Sequence, residues 1–156
     1  MATPTARETI LSTIQSELWQ IEWNDATVPL VERNLRRMAT IDQIADDLSA
    51  FPTLFIVPLP DKKEQTTRHT SDEVNTERSW SIGIAIFLQG STEDEAPLEI
   101  EAFGELVDQA MFRAGDKLRC GVHDGDIDEI LYPECGNNLV FQMRQYEVIY
   151  VNQVIY

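Results

Sequence analysis

Two cysteines and one histidine are the residues of this chain whose chemistry is most specific. Cys120, His123 and Cys135 supply thiolates and an imidazole, which are ligands that zinc prefers. A structural zinc site needs four ligands and usually contains a close cysteine pair, so the fourth ligand here would have to be Asp124 or Glu134. This spacing favours two incidental cysteines, and we expect no metal site.

An alternating acidic string follows the histidine. Asp124, Asp126 and Asp128 resemble the first half of a calcium-binding loop, in which alternate oxygen atoms surround the ion. However, the sixth position of such a loop requires glycine and is Glu129 here, and the twelfth requires a bidentate glutamate and is Cys135. The string therefore predicts a solvated acidic turn.

The chain shows no arrangement typical of nucleophilic catalysis or of phosphate binding. No serine or cysteine lies in a glycine-flanked nucleophile elbow, and no glycine-rich phosphate loop is present. His69 and His123 are the only histidines, and His69 lies in a polar segment that would hold a general base poorly. We expect no catalytic residue, no cofactor and no enzymatic activity.

Two small groups of basic residues are candidates for contacts with acidic partners or neighbouring subunits. They are Arg33, Arg36 and Arg37 in one group, and Arg68, His69 and Arg78 in the other. The alternatives are a solvated helix face for the first group and ordinary loop solvation for the second.

Composition limits the classes of partner. The chain has 156 residues, which suits one domain with a continuous core, and a formal net charge of -15 with a pI near 4.3. Such a surface repels phosphate, so sequence-specific binding of duplex nucleic acid is not expected, although DNA could slide through an acidic pore.

The sequence also predicts a soluble protein of a reducing compartment. The first residues do not have the pattern of a secretory signal, and the longest apolar stretches are far shorter than the ~20 residues of a membrane-spanning helix. Only two cysteines are present, so no disulfide framework is expected.

The first third of the chain is mainly helical by its pattern. Capping residues and apolar residues at helical spacing predict a helix over Ala6–Trp19, followed by a turn at Asn24 and Asp25. The segment 24–50 is ambiguous, and its best-supported piece is a short helix over 41–48.

The middle of the chain alternates between apolar strands and a polar segment. A strand is predicted over 53–59, where Pro58 suits an edge strand or a strand end. The segment 61–77 is almost wholly polar and too long for a tight turn, which indicates an arm or a loop ordered by a partner. The alternation from Trp80 to Ile86, with small residues on the second face, predicts a central strand.

The last third contains the strongest helix and a long strand. An acidic loop over 90–96 precedes a helix from Pro97 to Gly115. Short strands are predicted over 117–122 and 127–132, and a long terminal strand begins near Leu139. Together these elements predict a single α/β (α+β) domain over 1–156.

The order and pattern of four segments resemble those of the tail terminator, or tail-completion, proteins of long-tailed bacteriophages. The segments are FPTLFIVPLP, RSWSIGIAIFLQG, PLEIEAFGELVDQAMFRAG and LVFQMRQYEVIYV. The resemblance covers about 51–150 and implies a mixed or mainly antiparallel sheet with helices packed on one face. It also implies subunits that close into a hexameric ring, with the arm over 61–77 engaging neighbouring subunits. The segment 24–50 departs from the family's pattern.

The expected function is therefore that of a structural virion protein at the tail–neck junction, assembled in the host cytoplasm. The ring would cap the tail tube and contact the tail tube protein and the head connector or neck proteins, while DNA passes through it without sequence-specific binding. No membrane partner is expected. The alternatives are another neck or head-to-tail joining adaptor, a small metal-dependent hydrolase using His123 and the acids that follow it, and a monomeric binding module.

Overall fold

The described part of the chain forms two complete helices and eight strands. The computed structural model describes residues 6–28, 30–33, 45, 51–59, 65–69, 73–132 and 138–155. The elements are α1 (Ala6–Trp19), β1 (Glu22–Trp23), β2 (Ala26–Thr27), β3 (Leu30–Arg33), β4 (Thr53–Pro58), β5 (Gln65–His69), β6 (Glu73–Gln89), α2 (Ala96–Leu118), β7 (Gly121–Ile127) and β8 (Leu139–Ile155).

Six of the strands form one mixed sheet. Its order is β3-β4-β6-β8-β7, and β5 pairs with β6 beside this path. The β3–β4 pair is parallel, whereas all the other pairs are antiparallel. Both α1 and α2 pack on one face of this sheet, which confirms the predicted α+β fold class.

Strand β6 supplies the centre of the core, as its alternating sequence predicts. Trp80, Ile82, Ile84 and Ile86 face the helices and are each 3% exposed or less. The small residues Gly83 and Ala85 lie on the opposite face, where a second cluster contains Phe55, Phe87, Phe141 and Leu139. Ala45, which is helical, packs into this second cluster, so part of the opposite face is also covered.

Helix α2 is longer than its sequence pattern predicts. It begins at Ala96 with a proline in its first turn and continues past the predicted end at Gly115 to Leu118. Gly115 is buried inside the helix, where an added Cβ would overlap Val122, so its role is close packing. Arg119 ends the helix in the left-handed conformation, with φ of 55°. The strand predicted over 117–122 therefore begins only at Gly121.

A small hairpin holds one aromatic residue against α2. Asn24 and Asp25 have φ values of 52° and 63° between the paired residues Trp23 and Ala26, which defines a type I′ turn. The hairpin places the Trp23 ring edge-to-face on Phe103, with ring centroids 5.3 Å apart.

Four other sequence predictions need correction or lie outside the described residues. Strand β4 lies between β3 and β6, so Pro58 marks a strand end and not an edge strand. The predicted strand over 127–132 is reduced to the end of β7 and a single bridge between Leu131 and Phe141. Residues 30–33 of the ambiguous segment 24–50 form strand β3. The helix predicted over 41–48 lies outside the described residues except for Ala45.

Candidate subunit contact surfaces

The predicted polar segment forms part of a three-stranded arm. Strand β5 pairs with the first part of β6, and the last part of β8 pairs along the other side of β6. We define the arm as β5 with residues 73–78 of β6 and 150–155 of β8. Six residues of extended strand span about 20 Å. The sequence predicted an arm or a loop ordered by a partner in this segment, but not that β8 supplies a third strand.

The base of the arm is fixed by Arg7 from α1. Its guanidinium lies 4.7 Å from the centroid of the Trp80 ring, and its Nε donates a hydrogen bond of 2.9 Å to the hydroxyl of Tyr150. Both partners are buried. Arg7 lies in the first turn of α1, so the start of this helix is held against the base of the arm.

The structure brings three of the predicted contact residues together in the arm. Arg68 and His69 lie in β5, opposite Asn75 and Val74 of β6. Arg78 lies in β6 between Gln65 and Tyr150, and its Nε is buried with no hydrogen-bond partner among the described residues.

Of the other predicted group, only Arg33 lies among the described residues, and it is not in the arm. Arg33 ends β3 and is bound to α1, donating hydrogen bonds of 3.1 Å to Gln15 Oε1 and 2.7 Å to Ser12 Oγ. Gln15 in turn donates to the carbonyl of Val31, so Arg33 helps to fix β3 against the helix. Arg36 and Arg37 lie outside the described residues.

The residues considered for metal binding are spread over an exposed strand. Cys120 is a free, half-buried thiol whose pKa is raised by burial, and His123 is exposed in β7. Asp124 and Asp126 also lie in β7, so the acidic string is an irregular edge strand and not the predicted turn. Cys135 and Glu134 lie outside the description, and the described residues include no group of three or more potential ligands that could hold a metal.

A buried polar cluster between β8 and α2 was not predicted. Arg144 is 3% exposed and pairs with Glu101 and Asp108, each at 3.1 Å. Gln142 donates a hydrogen bond of 3.0 Å to Glu101, and the hydroxyl of Tyr146 donates to Asp108. The alternation of Gln142, Arg144 and Tyr146 along one face was visible in the sequence, but nothing there indicated that this face is buried.

The electrostatics of this cluster favour a structural role. Burial, followed by the hydrogen bond to the Asp108 carboxylate, raises the pKa of Tyr146 well above its usual range. The phenol therefore remains protonated and donates its hydrogen bond to Asp108. Each contact joins β8 to α2, so the cluster fixes how the helix is seated on the sheet.

A second polar cluster joins the two helices. Glu17 of α1 is 1% exposed and contacts Lys117 and, at 3.2 Å, Arg113 of α2. Hydrogen bonds from Lys117 and then Arg113 lower the pKa of Glu17 and outweigh the opposing effect of burial. Glu17 therefore carries its charge inside the helix layer.

Comparisons with known proteins identify no relative of this chain. No family model matches the chain, and no curated protein is significantly similar to it. Within the described parts of the structure, no helix is both long and apolar enough to cross a membrane. The candidate surface is thus defined by the chain's own features: an arm, its buried base and an acidic sheet edge.

Proposed function

We propose that this chain is a structural virion protein that closes into a hexameric ring at the tail–neck junction of a long-tailed bacteriophage. The ring caps the tail tube and joins it to the head connector or neck proteins, and it is assembled in the host cytoplasm. The role is non-enzymatic. The segments that carry the family resemblance correspond to β4, β6, α2 and β8, which form the centre of the fold.

The observation that carries this proposal is the three-stranded arm. Its three strands are paired with one another, and β5 contains no apolar residue. Ordering such strands costs conformational entropy and contributes little to the core, so contacts outside the subunit are the expected compensation. An arm that reaches a neighbouring subunit supplies those contacts in a ring.

The acidic surface supports the proposed passage of DNA. A net charge of -15 per subunit gives a ring whose walls repel phosphate, so DNA crosses the pore without being held. This property suits a joint through which a genome passes.

Shortening the arm tests the proposal. Residues 68–75 are replaced by Asn-Gly, which closes a two-residue type I′ hairpin between Thr67 and Thr76, paired residues of β5 and β6. We expect the variant to remain folded, because Val74 is the single apolar residue among those removed. Ring assembly should then require a protein concentration at least about tenfold higher than for the wild type. Light scattering over a range of concentrations measures the mass, and negative-stain imaging counts the subunits in each ring.

The matched control changes the other end of the sheet. Ile127→Asp alters an exposed residue of β7, 55% exposed, and leaves the arm intact. Rings of six copies formed by the wild type and the control, but not by the shortened variant, support the proposal. A wild type that stays monomeric at every concentration contradicts it and favours a monomeric binding module, whereas closed rings of another size favour a different neck adaptor.

A further inference from the structure

The start of α2 exposes an apolar side chain within an acidic surface. Leu98 is 74% exposed, more than any other large hydrophobic side chain in the described structure. Five carboxylates lie between positions 93 and 101, and no basic residue occurs between Arg78 and Arg113. An isolated exposed leucine is ordinary on a protein surface, but here it lies inside one strongly charged patch.

The other end of α2 forms the wall of a pocket. The pocket has a volume of about 350 Å³ and lies between the start of α1, the end of α2 and strand β8. Ile10, Leu118, Ile149 and Tyr150 give it apolar walls, and Arg119 lies at its edge. Ile10 and Tyr150 are almost fully buried and belong to the main core, so the floor of the pocket is part of a rigid structure.

The charges at the two ends of α2 are opposite. The basic residues at the end of the helix, Arg113, Lys117 and Arg119, outnumber the neighbouring carboxylates Glu17 and Asp116. This distribution also compensates the helix dipole. The dipole does not explain, however, why an exposed leucine lies at the acidic end and an open apolar pocket at the basic end.

The distance between these two features determines what kind of contact they can make. Twenty residues of helix separate Leu98 from Leu118, which corresponds to about 30 Å. Two different patches at opposite ends of a helix give a head-to-tail contact between copies. Such a contact forms a closed ring when its rotation closes, as the proposed function requires.

We propose that α2 joins neighbouring copies of this chain, with Leu98 and the carboxylates of one copy seated in the pocket and against Arg119 of the next. This inference rests on the proposed ring and identifies a contact within it that is centred on α2 and shares only Tyr150 with the arm. The leucine leaves water for an apolar site, and the opposite charges around it fix the orientation.

The test uses two variants that each damage one side of the contact. Leu98→Asp places a charge on the inserted side chain, and Ala6→Trp fills the mouth of the pocket at an exposed residue of its lining. Both sites are exposed, so both variants are expected to unfold at the wild-type temperature. Each alone should weaken association by at least about tenfold, because burial of a leucine side chain is lost.

Mixing the two variants identifies the geometry of the contact. Leu98→Asp retains an intact pocket and Ala6→Trp retains an intact Leu98, so an equimolar mixture can form one junction but cannot extend it. Sedimentation should therefore show one-to-one dimers in the mixture and weaker association of either variant alone. Ile127→Asp, with a comparable exposed apolar side chain on β7, is the control and should assemble like the wild type.

Several outcomes would overturn the inference, and they separate it from the proposed function. Rings formed equally well by both variants and by the wild type would leave the ring in place and exclude this contact. A mixture no more associated than either variant alone would exclude the head-to-tail pairing of these two patches. A wild type that never assembles would contradict both the contact and the ring.

Discussion

At the scale of single residues, Glu17 is the most informative ionisable group. Its carboxylate is almost fully buried, yet it contacts two cations whose side chains are 48% and 59% exposed. The cations can therefore return to water if the carboxylate is lost, whereas the carboxylate cannot be solvated without moving α1. Glu17 is thus held in its charged form by neighbours that stabilise the contact between the two helices.

Replacing Glu17 with Gln should make the helix contact weaker and less dependent on pH. The pKa of Glu17 is lower in the folded than in the unfolded chain, so its stabilisation is present above the ordinary carboxyl value, about 4.3. It is lost as the pH falls through the lowered folded value. We expect the variant to lose about 1–2 kcal/mol at pH 7, and the difference from wild type to shrink below about pH 4.

Denaturant unfolding measured from pH 3 to pH 7 checks this expectation. Glu105→Gln is the control, because Glu105 is an exposed carboxylate of α2, the helix that carries Arg113 and Lys117. A loss of stability that is the same at pH 3 and pH 7 would mean that Glu17 acts by packing and not by its charge.

At the scale of elements, the packing of α2 on the sheet depends on a glycine, Gly104, within the helix. A Cβ at Gly104 would overlap the guanidinium of Arg144, which Glu101 and Asp108 hold between helix and strand. Glycine normally weakens a helix interior by about 1 kcal/mol relative to alanine. Its presence here is explained by the close approach of Arg144 and not by the turn chemistry of glycine.

Gly104→Ala should therefore destabilise the protein although alanine favours helix. Overpacking costs about 1–3 kcal/mol and the gain in helix propensity offsets about 1, so we expect a net loss of up to about 2 kcal/mol in unfolding free energy. The same substitution made in an Arg144→Met background should cost nothing or stabilise, because methionine leaves room for the methyl group. Equal costs in the two backgrounds would show that Arg144 and Gly104 are not coupled.

The same elements show how far the sequence determines this fold. Helix α1 follows from its capping residues and helical spacing, and β6 from its alternation, because local chemistry fixes both. Strand β3 has four residues after Pro29, too few for a period-two pattern, and only its pairing with β4 makes it a strand. The buried side of β8 could not be predicted, because Gln142 and Arg144 are polar residues typical of a solvent-facing side. Their burial is possible because α2 supplies their hydrogen-bonding and charged partners. Of the candidate contact residues, Arg68 and His69 lie in the polar segment where the sequence expected an arm. Arg33, for which a solvated helix face was the alternative, instead lies in β3.

At the scale of the whole molecule, charge opposes the proposed assembly at long range and supports it at short range. Each subunit carries a net charge of -15, so neighbouring copies repel one another as bodies. The proposed junction instead brings an acidic helix start against a basic helix end, over a few ångströms. Salt screens these two effects over different ranges, because the screening length falls from about 30 Å at 0.01 M to about 8 Å at 0.15 M and about 3 Å at 1 M.

Ring assembly should therefore be strongest at intermediate ionic strength. Raising salt from 0.01 M to about 0.15 M removes most of the repulsion between subunits and leaves contacts shorter than the screening length, so the association constant should rise. Between about 0.15 M and 1 M the ion pairs of the junction are screened as well, and association should fall unless apolar burial alone maintains it. Sedimentation across this range measures the profile. Arg119→Glu removes the attraction at short range, so the association constant of this variant should increase with salt over the whole range. A wild-type association constant that falls steadily from the lowest salt would contradict the prediction, because it would mean that attraction between subunits dominates at every distance.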